Sequence, residues 1–411
     1  MLRRKSRDQA RKNKGGGPRD EGERRVEGLA RIRDVVQRRA WLEEQGLAPE
    51  EIERELEAAH FLAKGRLKFP RAAAMRFSRE GLAQASSKWV AEHRTWRMRQ
   101  LLGGLDSVLE VGSGIGGDTI ALATRWRVLA TERDPQTAEI LRHNLGVYGL
   151  LEKVDLVEGD IRELVEDEDF CRKAGTVDAV FFDPARRSDG RRAPHTEAYE
   201  PPLSFAEKLL GLCPNLCVKI GPIVELDALD YDCDTEVISY KGEVRDTVLW
   251  FGGFRADPAR RRRLATKLPE NLTLERGSGA PPPVGAPAAF LYEPDPAFIK
   301  AGLVDDLARR FGLALLDRRL AYLTGDRRVD DPALSAYRVH RVLDPDYGAV
   351  SACLAELGIG RVDFKARGVG VDLKTVHRKV RGRGKKGGLV VFTRAEGRRV
   401  ALVCGYAGKR K

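Results

Sequence analysis

The sequence predicts an α/β fold built on an open, mostly parallel sheet with helices on both faces, and two observations carry that prediction. Apolar strand patterns alternate with helical patterns between residues 107 and 220, as they do in βαβ units. The first strand runs into VGSGIGGDT at 111–119, a glycine-rich turn that opens a helix. Such a turn presents backbone N–H groups and the positive end of a helix dipole to an anionic or polar ligand.

Five predicted strands are followed by a hairpin. The apolar runs of the first five strands lie at 107–111, 127–132, 154–157, 177–183 and 215–220. Two further runs, 234–240 and 246–251, are joined by a short Lys-Gly-Glu turn, so one of them is expected to run antiparallel. A seven-stranded, Rossmann-like sheet with its last strand reversed is typical of methyltransferases rather than dehydrogenases. The fold class we predict is therefore the α/β methyltransferase sheet.

The glycine spacing alone leaves two cofactors open. Gly112, Gly114 and Gly116 give the GxGxG spacing of methyltransferases, whereas Gly112, Gly114 and Gly117 satisfy the dinucleotide fingerprint. Glu110 at the end of the strand favours S-adenosylmethionine, because a carboxylate there suits a sulfonium and an amino group. The same carboxylate would repel a pyrophosphate.

Two further acidic residues are predicted to hold the cofactor. Glu132 ends the second strand about 20 residues after the first glycine, where a carboxylate accepts the ribose hydroxyls of either cofactor. Asp160 follows the third strand and is suited both to an adenine amino group and to capping the helix that begins at Ile161. The predicted cofactor site thus comprises Glu110, Gly112, Gly114, Gly116, Glu132 and Asp160.

A second motif lies at the end of the fourth strand, where Asp183 and Pro184 are followed by Ala185 and Arg186. It resembles the (Asp/Asn/Ser)-Pro-Pro-aromatic motif of methyltransferases that modify amino groups of bases. There, the side-chain oxygen and the proline-constrained carbonyl accept hydrogen bonds from the NH₂ group and turn its lone pair towards the methyl carbon. Arg186 replaces the aromatic residue and can stack on a base or pair with a phosphate. Asp183, Pro184 and Arg186 are the predicted reaction site.

The fifth strand offers two other reactive groups. Cys213 precedes it, Cys217 lies inside it and no cysteine directly follows its end, which disfavours the thiolate route to carbon 5 of pyrimidines. Lys219, near the strand end, is expected to contact a phosphate of the target or to be a solvated charge. The cysteines form no CxxC pair, which argues against a zinc site and fits reduced thiols in a cytoplasm.

No apolar run reaches the roughly 18 residues of a membrane span, and no secretion signal is recognised.

The positive charge is concentrated at the two ends of the chain. The formal net charge is +12; residues 1–19 hold eight Lys and Arg against Asp8, and residues 361–411 hold sixteen against three acidic residues. The ends thus carry +7 and +13, and the intervening chain is acidic. A solvated, disordered tail explains the first segment as well as a polyanion site does. In the second, seven cations crowd a predicted helix end and the following loop, and they are expected to bind phosphate backbone with little sequence discrimination: Lys374, Arg378, Lys379, Arg381, Arg383, Lys385 and Lys386.

Several stretches resemble one bacterial family. GLAQASSKWVAEHR at 81–94, EVGSGIGGDT at 110–119 and FFDPARRSDGRR at 181–192 are similar to the class I S-adenosylmethionine-dependent methyltransferases that carry a C-terminal THUMP-like domain. AYLTGD at 321–326 and the basic stretch 358–404 resemble that family's terminal module. The resemblance implies a methyl donor and, through the THUMP-like module, an RNA partner such as tRNA or rRNA.

We therefore predict five segments. They are a basic disordered tail (1–26), an N-terminal helical section (27–103), a class I methyltransferase core (104–265), a linker (266–288) and a C-terminal region (289–411) whose α+β THUMP-like module spans 321–405. The predicted function is transfer of a methyl group to a base nitrogen of structured RNA by in-line displacement, in the cytoplasm and without metal or membrane. The alternatives are a methyltransferase of proteins or small molecules, a cofactor-binding but inert RNA-binding protein and, more distantly, a nicotinamide-dependent dehydrogenase.

Overall fold

The computed structural model describes residues 34–185 and 195–407, together with Arg25, Gly28, Leu29, Ile32 and two short strands that follow Arg186. The chain has two compact units, one drawn from residues 1–97 and 104–178, the other from residues 98–103 and 179–411. Arg186 and all but one residue of the predicted tail lie outside the described residues. The predicted helical section and the first half of the sheet thus share one unit.

Local sequence sets the starts of the N-terminal helices. Asp34 caps the first, Pro49 is the first residue of the second, and the Ser78 hydroxyl caps the third by accepting the Gly81 N–H at 3.1 Å, which are positions that favour these residue types. The helices are α1 (Val35–Glu44), α2 (Pro49–Arg66), α3 (Arg79–Gln84) and α4 (Lys88–Leu101).

Three parallel strands form the sheet of the first unit, with β2 pairing with both β1 and β3. Their carboxyl ends therefore lie at one edge, and the loops that follow Val111, Glu132 and Glu158 meet there. The elements are β1 (Ser107–Val111), α5 (Thr119–Ala123), β2 (Arg127–Glu132), α6 (Pro135–Tyr148), β3 (Val154–Glu158), α7 (Ile161–Leu164) and α8 (Glu168–Ala174).

The second unit begins with the strands that the sequence predicts as the fourth to seventh. β9 runs antiparallel to both β7 and β8, and Lys241 and Gly242, both at positive φ, form the turn between β8 and β9. The predicted reversal is confirmed, with the reversed strand inserted between its two neighbours. The elements are β4 (Ala179–Phe182), β5 (Arg187–Ser188), β6 (Arg191–Arg192), α9 (Ala206–Leu212), β7 (Leu216–Ile220), β8 (Asp234–Tyr240) and β9 (Glu243–Trp250).

This sheet continues beyond the predicted strands. β10 (Arg263–Leu268) pairs with β8 in parallel, and β11 (Leu272–Glu275) pairs with β10. β10 falls partly and β11 wholly within the segment 266–288 that the sequence assigned to a linker. The run of four arginines before Leu264 gives no indication of a strand, yet Leu264, Ala265 and Leu268 of β10 are buried.

A second sheet occupies the C-terminal half, in the order β13-β14-β12-β15-β18-β17-β16. β16, α13, β17 and β18 give the segment that was predicted as a THUMP-like module its α+β character. The sequence did not indicate the strands before residue 344. The elements are β12 (Phe290–Pro294), α10 (Pro296–Lys300), α11 (Val304–Phe311), β13 (Ala314–Leu315), β14 (Leu323–Gly325), β15 (Leu334–Leu343), α12 (Tyr347–Glu356), β16 (Ile359–Ala366), α13 (Leu373–Lys379), β17 (Lys386–Ala395) and β18 (Arg398–Tyr406).

Two further observations concern the residues that the structure describes. None of their helices combines the length and the apolar character needed to cross a membrane. Nor do their His, Cys, Asp and Glu side chains gather in a group of three that could hold a metal ion. All six cysteines are free thiols, and only Cys171 is not buried.

Candidate active site

The glycine loop after β1 has the conformation that its sequence predicts. Gly112, Gly114 and Gly116 have φ values of 83°, 54° and 96°, which side-chain-bearing residues rarely adopt. The N–H groups of Gly112 and Ser113 donate to the Thr131 carbonyl at 3.2 and 3.1 Å, and this ties the loop to β2. A Cβ at Gly114 would meet no atom within 4 Å, so the loop faces open space there.

At Gly116, unlike at Gly114, the backbone faces a packed side chain and not open space. A Cβ at this position would lie 2.9 Å from Leu141 Cδ1 of α6. The structure thus assigns the need for glycine at residue 116 to the close approach of a helix, whereas at Gly114 it leaves room for a ligand.

Glu132 fixes the loop from the end of β2. Its Oε2 accepts the Gly114 N–H at 2.8 Å, and its Oε1 accepts the Asp134 N–H at 3.0 Å. Each carboxylate oxygen has two lone pairs, so the side chain that holds the loop retains acceptor capacity for ligand hydroxyls. Glu110, near the end of β1, is 1% exposed.

Asp160 is the N-cap residue of α7, which is one of its two predicted roles. Its Oδ1 accepts the Arg162 N–H at 2.9 Å, and the Arg162 guanidinium binds both carboxylate oxygens, at 3.0 and 2.5 Å. The hydrogen bonds from this guanidinium hold the pKa of Asp160 below its usual range despite partial burial. The predicted contact with an adenine amino group stays a prediction.

A buried ion pair that the sequence did not indicate lies beside the loop. Arg94 of α4 is 1% exposed; it pairs with Asp118, the N-cap residue of α5, and donates to the Ser86 hydroxyl at 2.5 Å. At Gly117 a Cβ would come within 2.8 Å of the Ser86 N atom. The segment between α3 and α4 therefore closes directly on the glycine loop.

A side chain of α6 also holds the glycine loop. Asn144 of α6 donates to the Ile115 carbonyl at 2.9 Å and accepts the Arg76 N–H at 2.8 Å. Ile115, 1% exposed, packs in one cluster with Leu82 of α3 and Leu62 of α2. The N-terminal helical section is thus part of the wall of the loop.

In the second unit, the end of β4 carries a different ion pair. Lys219 of β7 pairs with Asp183 through Nζ and Oδ2; the Lys219 side chain is 1% exposed and that of Asp183 22%. The expectation that Lys219 contacts a target phosphate or is solvated is therefore wrong, since its ammonium is buried against a carboxylate. Pro184 is buried as well, whereas Arg186, the third predicted residue of the reaction site, lies outside the described residues.

Tyr199 supports the neighbouring strand end. Its hydroxyl accepts the Gly221 N–H at 3.2 Å, and the residue is 3% exposed. Ala185 and Glu200 exchange backbone hydrogen bonds of 2.9 and 3.0 Å, so the chain returns to the residues directly after Pro184. The sequence offered no signal for this return.

Comparison with known proteins decides the family. A Mycobacterium tuberculosis protein named as an uncharacterized S-adenosylmethionine-dependent methyltransferase, found in strains CDC 1551 and H37Rv, is 33% identical over 338 residues, or 80% of this chain and 87% of the relative. The chain belongs to the S-adenosylmethionine-dependent methyltransferases.

The parts of this methyltransferase also match individually. The sequence model of the RNA cap guanine-N2 methyltransferase family matches residues 105–186, and that of the THUMP domain-like family matches residues 334–406. A crystal structure described as a "putative methyltransferase" from Porphyromonas gingivalis W83 covers 94% of this chain and 98% of its own, with a TM-score of 0.72 at 19% identity. This likeness confirms the predicted fold.

The glycine loop of this methyltransferase fits its cofactor. S-adenosylmethionine supplies an electrophilic methyl group on a sulfonium, and it carries an ammonium group as well. The Glu110 carboxylate suits such cations, because opposite charges attract one another more strongly where water is largely excluded. Gly114 leaves space over the loop, and Glu132 keeps acceptor capacity for ribose hydroxyls. The contacts of individual residues with the cofactor stay predictions.

The predicted nucleic-acid surface of the methyltransferase is a cluster of exposed cations. All seven predicted side chains, which lie on α13, in the loop before β17 and at the first residue of β17, are exposed. In the described part of the chain no carboxylate forms an ion pair with any of them, whereas the arginines at 260–263 all pair with acidic residues. This cluster therefore presents uncompensated positive charge.

Proposed function

We propose that this methyltransferase transfers a methyl group from S-adenosylmethionine to a base nitrogen of structured RNA, tRNA or rRNA, with Asp183 and Pro184 at the reacting atom. The observation that carries the proposal is the buried ion pair between Lys219 and Asp183. A charged lysine in a wholly buried strand is unusual, and here it fixes a carboxylate that follows a strand at its carboxyl end.

A fixed carboxylate next to proline suits an amino group as substrate. The Lys219 ammonium holds Oδ2 of Asp183 in place, and each carboxylate oxygen has two lone pairs, so the side chain can still accept an N–H. Proline fixes its own φ and thereby the direction of the backbone carbonyls beside it. Two acceptors held in this way would orient the lone pair of an amino nitrogen along the line of displacement, which is the main help that methyl transfer needs.

Asp183 would also deal with the proton that the reaction releases. As the bond from nitrogen to the methyl carbon forms, the bond from sulfur to that carbon breaks, and the nitrogen becomes positively charged. A carboxylate already hydrogen-bonded to an N–H of that nitrogen stabilises the developing charge and can accept the proton. No nucleophilic side chain is required.

The comparisons support RNA as the substrate class. The family model that matches residues 105–186 is named for methylation of N2 of guanine, an amino group of a base, and its match includes Asp183 and Pro184. The second matching model is named for the THUMP domain, and its match contains the uncompensated cations of α13 and the following loop. Such cations fit a phosphate backbone.

The test is methyl transfer from labelled S-adenosylmethionine to total RNA isolated from cells that lack the gene. We expect label in RNA that nuclease removes and protease does not, and a methylated amino group in the digested nucleosides. Asp183→Asn should abolish transfer and leave cofactor binding intact, while the exposed Asp230→Asn control retains the rate. Label in protein or in a small molecule, or full activity of Asp183→Asn, would overturn the proposal.

A further inference from the structure

Two tryptophans of α4 lie on the surface of the first unit. Trp89 is 48% exposed and Trp96 is 37% exposed. They are seven residues apart, which is about two helical turns and places them on one side of the helix. Glu92, also exposed, lies between them, and we call the side of α4 that carries these three residues the tryptophan face. A single exposed apolar residue is ordinary, but neighbouring ones form a patch of the kind that marks a binding surface.

The exposed apolar surface continues beyond α4. The Lys88 N–H donates to the Lys68 carbonyl at 2.9 Å, which brings the chain that follows α2 beside the start of α4. Leu67, directly before Lys68, is exposed like Trp89, directly after Lys88. In the described part of the chain, three of the seven exposed large apolar side chains thus belong to the tryptophan face or to the segment beside it.

This part of the chain is also strongly basic. Residues 64–97 contain nine Lys and Arg against Glu80 and Glu92, although the chain between its two basic ends is acidic in sum. The Glu92 carboxylate, on the tryptophan face itself, pairs with the Lys88 ammonium at 3.5 Å, which compensates its charge. A segment of this charge attracts a polyanion. It would repel a second copy of itself.

Aromatic rings in basic surroundings suit a single strand of nucleic acid. A base of any identity can stack on a tryptophan ring, because every base has a π-face, and nearby cations attract the phosphates that connect the bases. The tryptophan face offers both kinds of contact, whereas a solvated helix surface needs neither ring. Unpaired bases are therefore the partner that the charge and the exposed rings favour.

The helix that carries the tryptophan face also closes on the glycine loop. Arg94 lies on the other side of α4, where it is buried and pairs with Asp118, the N-cap residue directly after that loop. The tryptophan face is therefore the outer side of a helix whose inner side holds the loop. RNA bound to this face would be anchored next to the wall of the predicted donor site.

We propose that Trp89 and Trp96 stack on unpaired bases of the substrate RNA. The proposal rests on the proposed function in taking RNA as the partner, and it assigns a role in RNA binding to the N-terminal helical section. This contact is separate from the cations of α13 and the following loop. It accepts any base, because stacking does not read the hydrogen-bonding edges of the bases.

The experiment measures binding of full-length protein to labelled oligoadenylate and to an abasic oligonucleotide of the same length, over a range of salt concentrations. The alanine variant, Trp89→Ala with Trp96→Ala, removes both rings. The phenylalanine variant, Trp89→Phe with Trp96→Phe, keeps an aromatic ring at each position. The matched control, Val36→Ala with Val342→Ala, shortens exposed apolar side chains elsewhere on the protein.

We expect the alanine variant to bind oligoadenylate about tenfold more weakly or worse, since each stacked base contributes to affinity. The slope of log K against log salt should not change, because no phosphate contact is lost. The phenylalanine variant and the valine control should bind nearly as wild type, and the abasic oligonucleotide should bind wild type and the alanine variant alike. An equal loss for both oligonucleotides, or wild-type affinity of the folded alanine variant for oligoadenylate, would overturn the proposal.

Tryptophan fluorescence provides an independent measurement. Oligoadenylate should quench the emission of the wild-type protein, and the phenylalanine variant should bind with clearly less quenching; equal quenching in both would contradict stacking on these rings. If sedimentation shows that the wild type self-associates and the alanine variant does not, while both bind oligoadenylate alike, the tryptophan face is an interface between copies and the proposal fails. Circular dichroism identifies an alanine variant that does not fold, in which case the quenching in the phenylalanine variant decides.

This proposal and the proposed function can fail separately. If the alanine variant loses affinity for oligoadenylate and RNA never gains a methyl group, the tryptophan face is an RNA contact and the proposed function is wrong. If the alanine variant methylates RNA at the wild-type KM, the proposed function holds and the tryptophan face is not the contact.

Discussion

Arg94 and Asp118 form an ion pair in which the arginine side chain is 1% exposed and the aspartate side chain 8%. The pair joins α4 to the N-cap of α5, directly after the glycine loop. Two charges taken out of water cost several kcal/mol each unless they compensate one another. The ion pair therefore stabilises the position of the glycine loop, and we expect removal of both charges to destabilise the protein less than removal of one.

Arg94→Met should lower the free energy of unfolding by about 3–5 kcal/mol, because the Asp118 carboxylate stays buried without its main partner. The double variant Arg94→Met with Asp118→Asn should recover much of that loss. Urea unfolding measures both. The comparison is Arg79→Gln, whose pair with Glu57 is exposed and should contribute about 0–1 kcal/mol. Equal effects at Arg94 and Arg79 would contradict the burial argument.

Gly114→Ala should weaken binding of S-adenosylhomocysteine, since the added methyl group projects into the space over the loop where a ligand would lie. The matched control is Gly149→Ala at the end of α6. Gly149 has a φ of 69° against 54° for Gly114, and neither has an atom within 4 Å of an added Cβ. Both substitutions should cost about 1–2 kcal/mol of stability from backbone strain. Isothermal titration should show a raised Kd at Gly114 alone, and parallel effects at the two sites would refute a ligand role for the loop.

Lys219→Met should reduce kcat by about 100-fold, because it releases the Asp183 carboxylate from its fixed position and small misplacements at a reacting centre are expensive. The Kd for S-adenosylhomocysteine should not change, and this also reports that the variant is folded. Lys219→Arg should restore part of the rate. Steady-state kinetics of methyl transfer to RNA from cells that lack the gene provide the measurement, and a variant that raised KM with unchanged kcat would assign Lys219 to binding instead.

Asp178→Asn should destabilise the protein at neutral pH and be nearly neutral in acid. Partial burial would raise the pKa of Asp178, but three donors from Asp106 and Ser107, at 2.8 to 2.9 Å, outweigh it and hold this pKa below the ordinary value. A carboxyl with a lowered folded pKa stabilises the fold above its unfolded pKa and loses that contribution as the pH falls through the folded value. Urea unfolding of wild type and variant at neutral and acid pH tests this. A difference in the free energy of unfolding that is larger in acid than at neutral pH would contradict the lowered pKa of Asp178.

The sequence could predict the features that depend on local pattern. The glycine loop, the cap at Asp160, the reversed β9 and the α+β character of the terminal module all follow from spacing within a few residues. Lys219 and Arg94 could not be placed in this way, because the burial of a charge depends on distant neighbours. A signal was present in both cases: Lys219 interrupts a wholly apolar strand, and Arg94 ends the stretch GLAQASSKWVAEHR, which the family resemblance already singled out.

The strands β10 to β15 show a second kind of feature that the sequence pattern could not predict. β10 follows a run of arginines that suggests a solvated surface, yet these arginines pair with carboxylates on neighbouring segments while the apolar residues after them are buried. The composition of such a segment gives its charge, but it does not show which carboxylates pair with that charge. The same composition at residues 381–386 has no carboxylate partners among the described residues, and only the structure separates the two cases.

The packing of Ile115 links the stability of the N-terminal helices to the occupancy of the loop. Ile115 belongs to the same buried cluster as Leu62 of α2 and Leu82 of α3, so an opening that separates these helices also removes one wall of the glycine loop. A ligand that binds only the closed loop must then shift the opening equilibrium by mass action. Amide hydrogen exchange in α2 and α3, helices that carry none of the predicted cofactor residues, should consequently slow when S-adenosylhomocysteine is added.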